Sequence, residues 1–451
     1  MSSRKSGIFV AAAVITLELI GGIQSYLNQL ILPILAKELG AQHLYGAILG
    51  VSSTAATTGL PIGATLLGRL RLSKLLLGAT FFLVLGSLTS ALAPNVGVFI
   101  VGSALRGLAG SILAMTSIGA VALGLSGRAR QLTLAFASAS WVIASVVGPT
   151  YAAWVTHLMS WRWAMVLYLP FLVVARLAVA VNIVSEDGTG KGTISYKALI
   201  LIVLGVTATV LPVTGMAKVI LLCGGVALLG RVVVLLLPAQ TFSRRSPRRA
   251  ALAGMFFLTG SYFAANELVG LTAHDIYGAH AESLGYILTG GGLAWAILGV
   301  VCGISPARSP LIYRVRSTIG TVLLIVTSFA MSAMSVSESR VGVPVLWCAL
   351  LWTVAGVGMG LTYLDTLNVF FDDPDEPDGI AIEEMASSSV IVESLSSTMF
   401  VPLTSSIAAV AFVNGRLASA VPYGISWSIV AGLACAALYY LRRVWPAAAF
   451  L

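Results

Sequence analysis

Long apolar runs separated by short polar turns fill the chain from residue 8 to residue 441. They lie at 8–35, 44–68, 74–92, 96–124, 131–156, 163–184, 197–214, 217–237, 250–273, 283–303, 317–335, 343–370, 385–413 and 421–441. Each approaches or exceeds the ~20 residues that a helix needs to cross hydrocarbon. The runs are continuously apolar and do not alternate, which selects helices over the strands of a barrel. The pattern predicts an all-α polytopic membrane protein with about fourteen spans. Arg4 and Lys5 precede the first run as in a signal peptide. That run is too long and lacks a small-residue cleavage site, so it reads as an uncleaved span.

Composition sharpens this picture. Hydrophobic residues make up 58%, charged residues only 10%, and mean hydropathy is +0.97. A soluble domain carries roughly 25% charged residues, so a soluble enzyme, a nucleic-acid module and a disordered chain are all excluded. The net charge of +9 comes from 26 Lys and Arg against 17 acids. With a cytoplasmic N-terminus, 18 of those cations fall in inside segments and 5 in outside segments. Arg106, Arg176 and Arg231 lie within spans. The bias predicts both termini cytoplasmic. Twelve spans plus a membrane-associated hairpin at 197–237 satisfies the same bias. Cys223, Cys302, Cys348 and Cys435 read as small core residues, with neither disulfide nor metal spacing.

The spans group as six, two and six. A Gly-rich stretch, EDGTGKGTIS at 186–195, follows the sixth, and a basic cluster, SRRSPRR at 243–249, follows the eighth. The expected domains are 1–185 and 250–451, each a six-helix bundle, joined by 186–249 with two extra helices. The nearest sign of an internal repeat is a basic loop after the second span of each half, RLRLSK at 69–74 and ARSPLIYRVRS at 307–317.

Local motifs add a family resemblance. The fifth span carries Ala144, Gly148, Pro149, Ala152 and Ala153, similar to GxxxGPxxGG with alanine at three glycine positions. Trp161, Arg162, Trp163, Tyr168 and Pro170 resemble WRWxFxxNxP, with tyrosine in place of asparagine. Arg106-Gly-Leu-Ala109-Gly110 is similar to RxxQGxG without its glutamine. Asn28 to Pro33 resembles NxALP, and Arg69 and Arg71 stand in a form of GxLaDRxGRR that lacks the acid. In this order the motifs resemble the major facilitator superfamily, and within it the 14-span drug:proton antiporters. The resemblance implies two bundles that rock about a central cavity. Gly148, Pro149, Arg69 and Arg71 are then structural motif positions. Spans 1, 4, 9 and 12 line the cavity in that family, and here they carry Glu18, Arg106, Glu267 and Asp365.

An ionisable group at mid-membrane is costly and therefore paired, wet or functional. Glu18 and Arg106 each lie about ten residues into their spans, near the midplane at about 1.5 Å per residue. Glu393 lies slightly to the cytoplasmic side of the middle of span 13. These three are the proton-coupling candidates, with Glu18 and Arg106 expected as a charge pair. Gln24, Asn28, Glu267 and Asp365 are the expected polar lining of a substrate cavity. Interhelical hydrogen bonding explains the amides equally well, and Asp365 lies close to the acidic loop 371–384 and its water. All four histidines, His43, His157, His274 and His280, fall in outside loops, either simply solvated or responsive to external pH. No nucleotide-binding or metal-ligand sequence occurs, so no cofactor is expected.

The leading reading is a monomeric, multi-pass plasma-membrane transporter that exports amphiphilic or cationic small molecules against proton entry. Its partners are the small-molecule substrate, protons and the lipid bilayer, with no nucleic acid. An exporter of a lipid or cell-envelope precursor on the same fold is the alternative, and a membrane enzyme or non-transporting scaffold a third.

Overall fold

The computed structural model describes residues 2–67, 69–124, 127–182, 196–213, 215–238, 241–242, 246–307, 309–337, 344–371 and 382–444. Within these, the side chains of 2–14, 18, 64, 67, 72, 115–139, 141, 179, 182 and 382–387 stay outside the description. The linker 186–195 and most of the acidic loop 371–384 therefore lie outside the described residues.

Helices dominate. They are α1 (Ser2–Glu38), α2 (Tyr45–Leu67), α3 (Leu72–Ala91), α4 (Val96–Gly124), α5 (Gly127–Leu158), α6 (Leu169–Asn182) and α7 (Tyr196–Val210). There follow α8 (Gly215–Leu236), α9 (Pro247–Asp275), α10 (Ala281–Ile304), α11 (Pro310–Val336), α12 (Pro344–Phe371), α13 (Ile382–Ala409) and α14 (Val421–Leu441). A 3-10 turn at Gln42–Leu44 precedes α2, and a single helical turn at Trp161–Ala164 precedes α6.

Ten described helical segments are long and apolar enough to cross a membrane. Helices α5 and α7 add the shorter apolar stretches Val142–Leu158 and Tyr196–Val210. Helix α9 is the less apolar one, and it is buried along nearly its whole length. Its polar groups find partners inside the bundle. Thr259 bonds the Met255 carbonyl at 2.7 Å and Ser396 at 2.8 Å, and Ser261 donates to the Val430 carbonyl at 3.1 Å. A helix enclosed by others has no lipid to match. Elsewhere large apolar side chains point outward, Phe81 at 63% and Phe171 at 73% exposure, as a surface solvated by lipid requires.

The described helices gather into two compact units, Met1–Leu39 with Val51–Leu199 and Gly40–Gly50 with Ile200–Leu451. In the first, α1 packs on α5 and α6, while α3 packs on α4 and α6. In the second, α9 packs on α13 and α14, while α11 packs on α12 and α14. The pairing is the same with every label raised by eight. Small residues permit it at matching places. A Cβ on Gly102 of α4 would sit 2.7 Å from the Gly86 carbonyl of α3, and one on Gly320 of α11 would sit 2.4 Å from the Gly358 carbonyl of α12. Such crossings hold helices together without a hydrophobic driving force. Helices α7 and α8 cross through Gly205 and Gly225, and α8 lies against α13 in the second unit.

Two local features depart from the sequence reading. Span 13 was expected to reach residue 413, but α13 ends at Ala409 and the chain turns through a small hairpin pairing Phe412–Val413 with Arg416–Leu417. Its loop is Asn414-Gly415 with φ of +51° and +72°, the two-residue turn that asparagine and glycine favour. Of the four cysteines, Cys302 and Cys348 are buried as expected, but Cys223 and Cys435 are exposed.

Candidate functional site

In the first unit the cation expected within span 4 is buried. Arg106 on α4 is 7% exposed, and its Nη2 donates to Asn28 Oδ1 on α1 at 2.8 Å. Arg106 Nε is buried without a partner among the described residues. The side chain of Glu18 lies outside the described residues, and so does the expected Glu18–Arg106 pair. Glu18 stands ten residues before Asn28 on the same helix, about 15 Å along a regular axis. Gln24 is half-buried between them.

The motif residues take structural places. A Cβ on Gly148 of α5 would sit 3.0 Å from the Tyr26 side chain and 3.2 Å from the Ile23 backbone of α1, and Pro149 lies inside the helix beside it. Ala144, Ala152 and Ala153 are buried, so alanine still admits α1. Trp161 Nε1 donates to Glu38 at 2.6 Å, Arg162 pairs with the same carboxylate, and its guanidinium lies 4.3 Å above the Trp161 ring. That knot fastens the end of α1 to the turn before α6. Arg69 and Arg71 are exposed in the α2–α3 turn.

The second unit holds a denser constellation. Tyr363 on α12 donates its hydroxyl to the carboxylate of Glu393 on α13. No cation pairs with Glu393 among the described residues. An aromatic run leads to this pair. Trp352 stacks on Tyr262 at 5.0 Å between centroids, Tyr262 meets Trp295 at 5.1 Å, and Trp295 stands edge-on to Tyr363 at 6.2 Å. Four helices contribute: α9, α10, α12 and α13. Glu267 lies on the less buried stripe of α9 with Phe263 and Asn266. Its carboxylate has no hydrogen-bond or ion-pair partner among the described residues.

Asp365, expected to line a cavity, is instead 2% exposed with both oxygens engaged at the α10–α11 loop. Ala307 N donates to Oδ1 at 3.0 Å and Arg316 Nη1 to Oδ2 at 3.2 Å, while the same Nη1 reaches the Ser305 carbonyl at 2.7 Å. The basic loop of the second half thus has the acidic partner that the first-half loop lacks in sequence.

Sequence reasoning missed Asp275 at the end of α9. Its side chain is fully buried and receives Tyr45 at 2.9 Å, Tyr423 at 2.5 Å and His274 Nδ1 at 2.9 Å. The adjacent His-Asp pair at a helix end was the available signal. Tyr363 carried a weaker one, an aromatic hydroxyl in an apolar span. Among the described residues no group of three metal-ligating side chains forms.

Comparison with known proteins fits this architecture. The chain is 28% identical over 277 residues to an acurin A biosynthesis cluster MFS-type transporter of Aspergillus aculeatus, covering 56% of this chain and 49% of that one. It is 21% identical over 350 residues to the multidrug transporter protein MdtP of Bacillus subtilis, covering 73% and 62%. The chain spans about half the length of several curated relatives that it matches. A crystal structure of a POT family transporter superposes with TM-score 0.67 at 11% identity over 94% of both chains. The human organic anion transporter MFSD10 superposes with TM-score 0.58 at 13% identity, over 96% of this chain and 99% of that one. These likenesses carry the fold alone. The model of the Major Facilitator Superfamily matches residues 14–374, most of the chain, and with two helical units that repeat one packing scheme the protein belongs to that superfamily of membrane transporters.

Proposed function

We propose that this protein is a proton-coupled exporter of amphiphilic or cationic small molecules, working by alternating access. The observation that supports this reading best is the Glu393–Tyr363 pair at the end of the aromatic run. A carboxylate away from water needs a proton or a cation. Here its partner is a neutral hydroxyl, which donates to the ionised acid and accepts from the protonated one. Proton and cationic substrate then compete for one charge, and the rings of Trp295 and Tyr363 suit a flat or cationic cargo.

In this scheme Glu18 and Arg106 form a second coupling locus, with Asn28 orienting the guanidinium. Gln24, Asn28 and Glu267 supply polar lining. Asp365 and Arg316 hold the α10–α11 loop. The fourteen helices cross the plasma membrane with both termini cytoplasmic, and the monomer comprises bundles 1–185 and 250–451 joined by 186–249.

The test is uptake of tetraphenylphosphonium into proteoliposomes under an imposed pH gradient. Glu393→Gln is expected to abolish gradient-driven uptake while leaving the protein folded, and Tyr363→Phe to reduce it. Native uptake in Glu393→Gln overturns the assignment. Loss only in Glu18→Gln moves coupling to the first unit.

A further inference from the structure

The second unit carries a cavity of about 690 Å³ where the α7–α8 turn meets the Gln42–Leu44 turn, the end of α13 and the Asn-Gly hairpin. Most of its wall is apolar, Val210 and Phe412 included, and His43, Lys218, Ser406 and Asn414 bring polar groups to it.

Lys218 is the unusual member. It is 7% exposed, and its Nζ donates to the carbonyls of Thr209 at 2.9 Å and Leu211 at 3.0 Å, at the C-terminal end of α7. An ammonium has three donors, so one remains. No carboxylate pairs with Lys218 among the described residues. Carbonyl dipoles at a helix end offset part of a buried charge, but a cation taken out of water calls for an anion. Ser406 supplies a second observation. It is 4% exposed, lines the same cavity, and its hydroxyl has no partner among the described residues.

The surroundings specify the source of the anion. Val410 and Val413, which line the cavity at its rim, are exposed at 47% and 57%. In a membrane protein such a face meets acyl chains. We infer that this cavity seats the anionic headgroup of a phospholipid, its phosphate against Lys218 and Ser406 and its acyl chains running out past the exposed rim of Val410 and Val413. Long basic side chains commonly meet headgroups this way near helix ends. The site is separate from the Glu393–Tyr363 pair and does not depend on its role.

The experiment is native mass spectrometry of the purified full chain, titrated with phosphatidylglycerol, with phosphatidylcholine and with inorganic phosphate. Phosphatidylglycerol should be retained at least about tenfold better than phosphatidylcholine, the scale of one charge-assisted hydrogen bond. Lys218→Gln should lose that preference and Lys218→Arg keep it. Val410→Trp, which fills the cavity and leaves the Lys218 bonds to α7 in place, should lose it too, and it carries the test where Lys218→Gln fails to fold. Equal retention of both lipids, or full preference in Lys218→Gln or Val410→Trp, overturns the site and leaves Lys218 as a helix cap. Displacement of phosphatidylglycerol by millimolar phosphate overturns the lipid assignment in favour of a free anion.

Discussion

Replacing Gly356 by alanine tests the close crossing of α10 and α12. A Cβ there would lie 2.1 Å from the Gly291 carbonyl oxygen and 2.9 Å from its carbon. Ordinary contact between carbon and oxygen needs roughly 1 Å more. The obstacle is backbone in the partner helix, so no side chain can rotate away and the helices must part. Overpacking of this kind costs about 1–3 kcal/mol, and a backbone obstacle places Gly356→Ala at the upper end. Gly432 on α14 is the matched control, because a Cβ there meets nothing within 4 Å. Alanine at such a helical site stabilises by about 0.4–1 kcal/mol through the unfolded chain. In a chain of 451 residues about 1 °C accompanies each kcal/mol. Scanning calorimetry in detergent should therefore show Gly356→Ala lowered by about 2–3 °C and Gly432→Ala level or raised by up to about 1 °C. Equal shifts in the two variants would refute the crossing.

Further outcomes follow from the polar clusters. Arg316→Gln should destabilise by about 1–3 kcal/mol because it strips the cation from buried Asp365, and the double variant with Asp365→Asn should recover part of the loss in a thermodynamic cycle. Asp275→Ala should lower the melting temperature more than Ser246→Ala, since it orphans Tyr45, Tyr423 and His274, whereas the Ser246 cap on Arg249 N is worth only about 1 kcal/mol. A cysteine introduced at Arg314 should react with an impermeant maleimide only after the membrane is opened, and one at Met159 in intact cells. The reverse pattern would invert the topology.

Hydropathy made the helices legible because lipid-facing residues must be apolar whatever they pack against. It did not reveal the repeated packing, since Gly86 with Gly102 and Gly320 with Gly358 serve the same crossing in unlike sequences. Arg106 stood out as a lone cation in an apolar run, but its partner Asn28 is 78 residues away and came only from the fold. Glu393 was visible for the same reason, while Tyr363 was hidden as one aromatic among many. Asp365 was expected at the cavity because span 12 lines it in the resembled family, whereas the α10–α11 loop folds back over its carboxylate. Asp275 was passed over because loop carboxylates are ordinarily solvated. The Asn-Gly turn was readable in principle, but the apolar residues around it continued the hydropathy of the span.

The edge-on contact between Trp295 and Tyr363 gives the protein a built-in optical probe. Indole emission responds to nearby charge, and the response is stronger where the local dielectric is low. Trp295 is one ring away from the Glu393 carboxylate through the Tyr363 hydroxyl. The chain has nine tryptophans, so the raw spectrum blends them. Subtracting the spectrum of Trp295→Phe isolates the indole that packs on the Tyr363 ring. Titration of that difference signal reads the ionisation of Glu393 in the unlabelled protein, at rest and during turnover, without any added dye.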